Sequence, residues 1–226
     1  KTSFRHRTFG ASFESEDYAF IDALDKPVAL WTNVLLEEGI HRNSLVHRKN
    51  VIEQHVMDLP DFNDKGAWAA KYVDRLENIS KQSENLEEVK KILAKLKSQD
   101  ATNQYTIAIY EQVSALVEYN FKALKKIEAF DLAITADEEI IILFELQELI
   151  QKFGTFRQEF EKVYSQSRIL NKPENYILDQ DHHNHPANQS VNFDWQFISE
   201  ILFLEKVNTH FKTKTVWQEG TNTKLN

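Results

Sequence analysis

Five glycines and four prolines in 226 residues leave this chain few places to turn. Sandwiches, barrels and doubly wound sheets need tight turns at short intervals, and those turns draw on Gly and Pro for backbone angles that other residues resist. A chain so poor in both is directed toward long helices joined by few connections. Apolar residues make up 42% and aromatics 12%, enough to bury a core and far from the composition of a disordered chain. The expectation is an all-α fold, a single bundle-like domain of about six helices over residues 1–226.

Charge and residue usage remove several classes of function. With 35 acidic against 27 basic side chains the net charge is -8, opposite in sign to the clustered Lys and Arg that bind phosphate backbones, so no nucleic-acid partner is expected. The longest apolar run, Ile140 to Phe144, falls far short of the roughly 20 residues of a membrane span, so the chain reads as soluble. Without cysteine there is no disulfide, thiol nucleophile or thiolate metal site, and the compartment stays open between cytoplasm and disulfide-free export. A first residue other than Met fits a piece of something larger.

Residues 1–25 scatter Phe4, Phe9, Phe13, Tyr18 and Phe20 without a sustained period and read as an aromatic arm. Residues 26–164 hold helices one to five. Asp25 as N-cap and Pro27 in the first turn start helix one, which runs to Met57 ahead of Asp58-Leu-Pro-Asp61. Asn63-Asp64 opens helix two, with Trp68, Tyr72, Leu76 and Ile79 in one stripe ending near Gln82. Asn85 and Glu88 have capping-box spacing for helix three, which ends near Ser98. Thr102 to Asp131 is a central helix. Thr135 with Glu138 caps helix five, whose stripe is Ile142, Leu146, Leu149, Phe153, Phe156, Phe160 and Val163, uninterrupted by Gly154. Residues 165–192 have no period and form a long His-rich loop; 193–212 are a last helix apolar nearly all round, and 213–226 a polar tail.

Two clusters carry potential chemistry. In helix one, Trp31, Val34, Leu45, Ile52 and Val56 project within a sector about 60° wide, and Glu38 falls near its centre with His41 and Arg42 at its edges. A carboxylate inside an apolar seam calls for a partner, so Glu38, His41 and Arg42 are expected to form a buried polar cluster, structural or catalytic. Glu38-Gly-Ile-His41 also has the Glu-x-x-His spacing of di-metal bundles, but the second copy those sites need is missing. The second cluster is Asp179, Asp181, His182, His183 and His185, a composition able to hold a divalent transition metal through imidazole and carboxylate. No other cofactor is indicated.

Phe153 to Asn175, FGTFRQEFEKVYSQSRILNKPEN, is an aromatic amphipathic helix running into an Asn-Lys-Pro turn. It resembles the end of the helical segment that follows the catalytic domains of family 20 glycoside hydrolases, the β-N-acetylhexosaminidases. In that family a barrel carries the catalytic Asp-Glu pair, and this chain has no barrel, so the resemblance implies an accessory helical module and transfers no catalytic residue. Together these features lead to the expectation of a non-catalytic module that engages another protein domain or subunit, with a metal-binding protein or metal-dependent enzyme using the His-rich loop, Glu38 and His41 as the alternative.

Overall fold

The computed structural model describes residues 23–25, 27–28, 34–40, 49–99, 104–166, 197–214 and 216–217. The fold is helical and bundle-like. In chain order the described elements are α1 (Lys49–Gln54), α2 (Ala67–Lys71), α3 (Val73–Gln99), α4 (Gln104–Leu132), α5 (Ala136–Tyr164) and α6 (Ile198–Phe211). Residues 1–22 of the expected arm, 167–192 of the expected loop and 193–196 of the expected last helix lie outside the described residues, as do positions 26, 29–33 and 41–48 of the expected helix one.

Helices α3, α4 and α5 form an antiparallel row with α4 in the middle, which is why α4 buries residues on two sides, Leu116 and Phe121 among them. Leu76, Ile79, Gln82, Leu86, Val89, Leu93 and Leu96 make one continuous buried stripe on α3. The expected break between Gln82 and Asn85 is therefore absent. The polar residues that suggested it stay in the helix: Asn85 donates to Gln82 Oε1 at 2.7 Å, Gln82 to Asn78 Oδ1 at 3.2 Å, and the Ser80 and Ser83 hydroxyls donate to carbonyls one turn back. Side chains of this type cap helices or fold back on them according to context, and here the unbroken apolar period decides.

The start of α5 follows the sequence. Thr135 Oγ1 accepts the Glu138 N–H at 3.2 Å while Glu138 accepts the Thr135 N–H at 3.0 Å, a complete capping box. The buried face of α5 is rotated slightly from the expected stripe, with Leu143 and Ile150 fully buried and Ile142 and Leu149 half-buried. Gly154 sits on the exposed side of the unbroken helix, where an added Cβ meets nothing within 4 Å. Gly154→Ala is accordingly expected to stabilise the chain by about 0.5–1 kcal/mol, seen as a higher denaturant midpoint. A lower midpoint would contradict an unstrained helix at this position.

α6 covers the row. Ile198, Ile201, Leu202, Phe203, Leu204, Val207 and Phe211 are all buried, as its all-round apolar sequence requires. The buried Glu200 accepts a hydrogen bond from Asn120 of α4 at 3.0 Å, a polar contact that fixes the register of the two helices. Beyond α6 the chain keeps packing. Trp217, expected in a loose tail, is only 7% exposed and lies 5.3 Å from the Phe211 ring.

The largest departure is in the first expected helix. Residues 23–25 and 27–28 are helical, which puts Asp25 inside a helical segment instead of at its cap. Residues 34–40 are not helical: Leu36 bridges Val56 in antiparallel fashion, Met57 N–H bonds Leu35 O at 3.0 Å, and Glu37 N–H bonds His55 O at 2.8 Å. Two features dictate this. Gly39 has φ +76, a left-handed conformation that ends a helix. Val34, Leu35 and Leu36 are buried consecutively, which a helix with one wet side cannot achieve.

α2 also begins later than expected, at Ala67, because Asp61 holds the Asn63 N–H in a local turn at 2.8 Å. Its start is stitched to the end of α4. Asp131, fully buried, accepts the Ala69 N–H at 2.8 Å, and its carbonyl accepts the Gly66 N–H at 3.1 Å.

Candidate functional site

Of the residues in the two sequence-predicted clusters, the structure describes Glu38 alone. Glu38 lies in the exposed turn that follows the Leu36–Val56 bridge, so the buried seam proposed for it is corrected. Outside a helix, residue 38 does not share the buried side of Val34. His41 and Arg42 lie outside the described residues, as do Asp179, Asp181, His182, His183 and His185. Among the described residues no group of three or more His, Asp or Glu side chains is placed to hold a metal ion.

The engaged carboxylate is the neighbouring Glu37. Its Oε1 accepts the Asp58 N–H at 2.9 Å, its carboxylate receives the Tyr72 hydroxyl at 3.2 Å, and Lys71 Nζ stands 3.7 Å away. Asp58 in turn pairs with Lys71 at 3.4 Å and Lys206 at 3.1 Å, and its carbonyl takes the Trp68 indole N–H at 2.7 Å. Arg75 donates to the carbonyls of Val34 at 2.9 Å and Leu36 at 2.6 Å, its guanidinium 5.3 Å from the Tyr72 ring. Burial pushes the Tyr72 phenol up, and the Lys206 hydrogen bond holds the Asp58 carboxyl below its ordinary value. This junction ties the 34–40 segment and the approach to α2 onto α3 and α6. Its acids and bases are committed to one another and to backbone, which suits a clamp.

His210 extends the junction, its Nε2 2.8 Å from the Pro60 carbonyl oxygen and its ring 4.6 Å from Phe62. Burial is the main cause that lowers its pKa below 6.5, aided by the positive charge of Lys206 and Lys214 and opposed by the Pro60 carbonyl and Asp61. A histidine whose folded pKa is depressed takes up a proton more readily when unfolded. Its contribution is complete above the unfolded value, about 6.5, and is lost as pH falls below it. The denaturant midpoint is expected to drop between pH 7.5 and 5.5, and His210→Gln to flatten that drop; an unchanged pH profile in the variant would contradict the assignment.

A groove of about 340 Å³ opens between α3 and α4, with Leu86 and Phe121 as its floor and Ser83, Glu118, Lys122 and Lys125 along its rim. Burial works to raise the Glu118 carboxyl, but bonds from Lys122 at 2.7 Å and Lys90 at 2.8 Å outweigh it and hold the group below the ordinary carboxylate range. The Ser83 hydroxyl is engaged with the Ile79 carbonyl at 2.8 Å. Lys125 pairs with Glu128 at 2.6 Å. The rim is neutralised from within.

A third feature sits at the tip of the α4–α5 hairpin. Leu132 is 55% exposed, Ile134 92%, Ile141 58%, Phe144 46% and Ile140 36%. On α5, turning about 100° per residue, Phe144 projects between Ile140 and Ile141, so the three form one ridge opposite the buried Leu146 and Ile150. The signal was in the sequence. An apolar run of five in a helix spans more than one face, so part of Ile140 to Phe144 had to leave the core.

No helix among the described residues is long and apolar enough to cross a membrane. No family model, curated protein or solved structure matches the chain.

Proposed function

We propose that this chain is a non-catalytic interaction module that docks on another protein through the apolar ridge of the α4–α5 hairpin. The exposure of Ile140, Ile141 and Phe144 on one side of α5 carries the reading. Scattered exposed apolar side chains are ordinary on a protein surface, whereas contiguous ones mark contact sites. The likeness of Phe153 to Asn175 to the helical tail of β-N-acetylhexosaminidases supports an accessory place beside a carbohydrate-active domain. The test is a photo-crosslinking side chain at position 141, with the protein expressed in its own cells. One discrete adduct is expected there and none from the exposed polar position Glu88. Its absence, or equal adducts at both positions, would overturn the proposal.

The alternative, metal binding by His182, His183 and His185 with Asp179 and Asp181, rests on five potential ligands of two types within seven residues. Elemental analysis of the purified chain decides it, since a chain free of zinc, iron and manganese after exposure to them would retire that reading.

A further inference from the structure

The rim of the docking ridge is acidic, and this indicates what kind of partner covers it. Ala136 to Lys152 contains Asp137, Glu138, Glu139, Glu145 and Glu148 against the single cation Lys152. Glu139 points to the core side, where it pairs with Lys65 at 2.7 Å and Lys214 at 3.1 Å. Glu145 is held by Lys126, and Glu148 only loosely by Lys152 at 3.8 Å. At the N-terminal edge, Glu138 caps the helix through backbone N–H groups, and among the described residues no cation pairs with Glu138 or Asp137. The ridge Ile140–Phe144–Ile141 is thus an apolar strip with two carboxylates beside it, Asp137 and Glu138, that no cation among the described residues pairs.

From this we infer that the occupant is an amphipathic helix of a partner protein whose apolar anchors are flanked by Lys or Arg. The inference rests on the docking reading above. Side chains four apart on α5 form the kind of ridge that packs into the groove of another helix. Complementary charge at a rim guides encounter and selects partners, while like charge across the contact costs affinity. A second copy of this chain would set acid against acid, each carrying a net charge of -8.

Two synthetic amphipathic helices with the same apolar face, one flanked by Lys and one by Glu, provide the test by fluorescence anisotropy at physiological salt. The Lys-flanked peptide is expected to bind about tenfold tighter or more, and Asp137→Lys to weaken it severalfold. Ile141→Ser combined with Phe144→Ser leaves the charge unchanged and is expected to abolish the binding, with circular dichroism confirming an intact fold. Equal binding of the Lys-flanked peptide to the double variant would reveal mere attraction to an acidic protein and overturn the inference. Equal, ridge-dependent binding of both peptides would overturn the basic partner and leave the docking site standing. Failure of both peptides to bind through the ridge would also overturn the inference, and the crosslinking result at position 141 would then judge the docking site alone. Ridge-dependent self-association in sedimentation would replace the partner with a second copy and overturn it too.

Discussion

Replacing Phe211 by Ala is expected to cost about 3–5 kcal/mol of unfolding free energy, the range for truncating a fully buried aromatic side chain. Phe211 is fully buried at the end of α6, with the rings of Phe130, Trp217 and Phe62 at 4.9, 5.3 and 5.8 Å. Those rings belong to separate parts of the chain, so no local shift can fill the space left behind. Phe130 edges onto Phe211 at an interplanar angle of 79°, a geometry that adds to the area buried. Against a total stability of about 5–15 kcal/mol, the loss would leave the variant marginal. Urea unfolding followed by circular dichroism reads it out; a loss under about 1 kcal/mol would show that α6 is not seated as described.

The second large effect is expected at Arg75. Arg75→Met keeps most of the apolar stem but removes the donor to the Val34 and Leu36 carbonyls. Hydrogen bonds to charged groups contribute about 1.5–3 kcal/mol each, and Arg75 is half-buried, so a loss on the order of 2–3 kcal/mol is expected. The damage should be local as well as global. The Glu37 N–H, bonded to the His55 carbonyl at 2.8 Å, is expected to lose hydrogen-exchange protection well before amides of α4. Equal protection in variant and parent would show that the segment is held by its apolar side chains alone.

The long helices were legible because their cues are local. Thr135 and Glu138 announce a helix start within four residues, and α4 and α6 carry apolar residues in numbers that leave no alternative to burial. Where the reading failed, the deciding interaction was distant in sequence. The bridge from Leu36 to Val56 is invisible to any helical projection, and projecting through Gly39 carried Glu38 into a seam that does not exist. The carboxylate that matters, Glu37, is defined by Asp58, Lys71 and Tyr72, none of them within a helical turn of it. Conversely, Gln82 and Asn85 looked like punctuation, yet they bond to each other inside α3. The hairpin ridge was present as the run Ile140 to Phe144, which the membrane question alone did not exploit.

The covering position of α6 has a kinetic corollary. Neighbouring helices such as α4 and α5 meet across a connection of only a few residues, whereas Lys206 of α6 grips the Val56 carbonyl from 150 positions along the chain. Loops that close early do so cheaply, and distant closures wait for them. During synthesis the three-helix row therefore stands roofless until Ile198–Phe211 has emerged, with its greasy trough open to any chaperone at hand. Stopped-flow fluorescence should show Trp217 reaching its native signal last, and simultaneous burial of Trp68 and Trp217 would argue for a single concerted step.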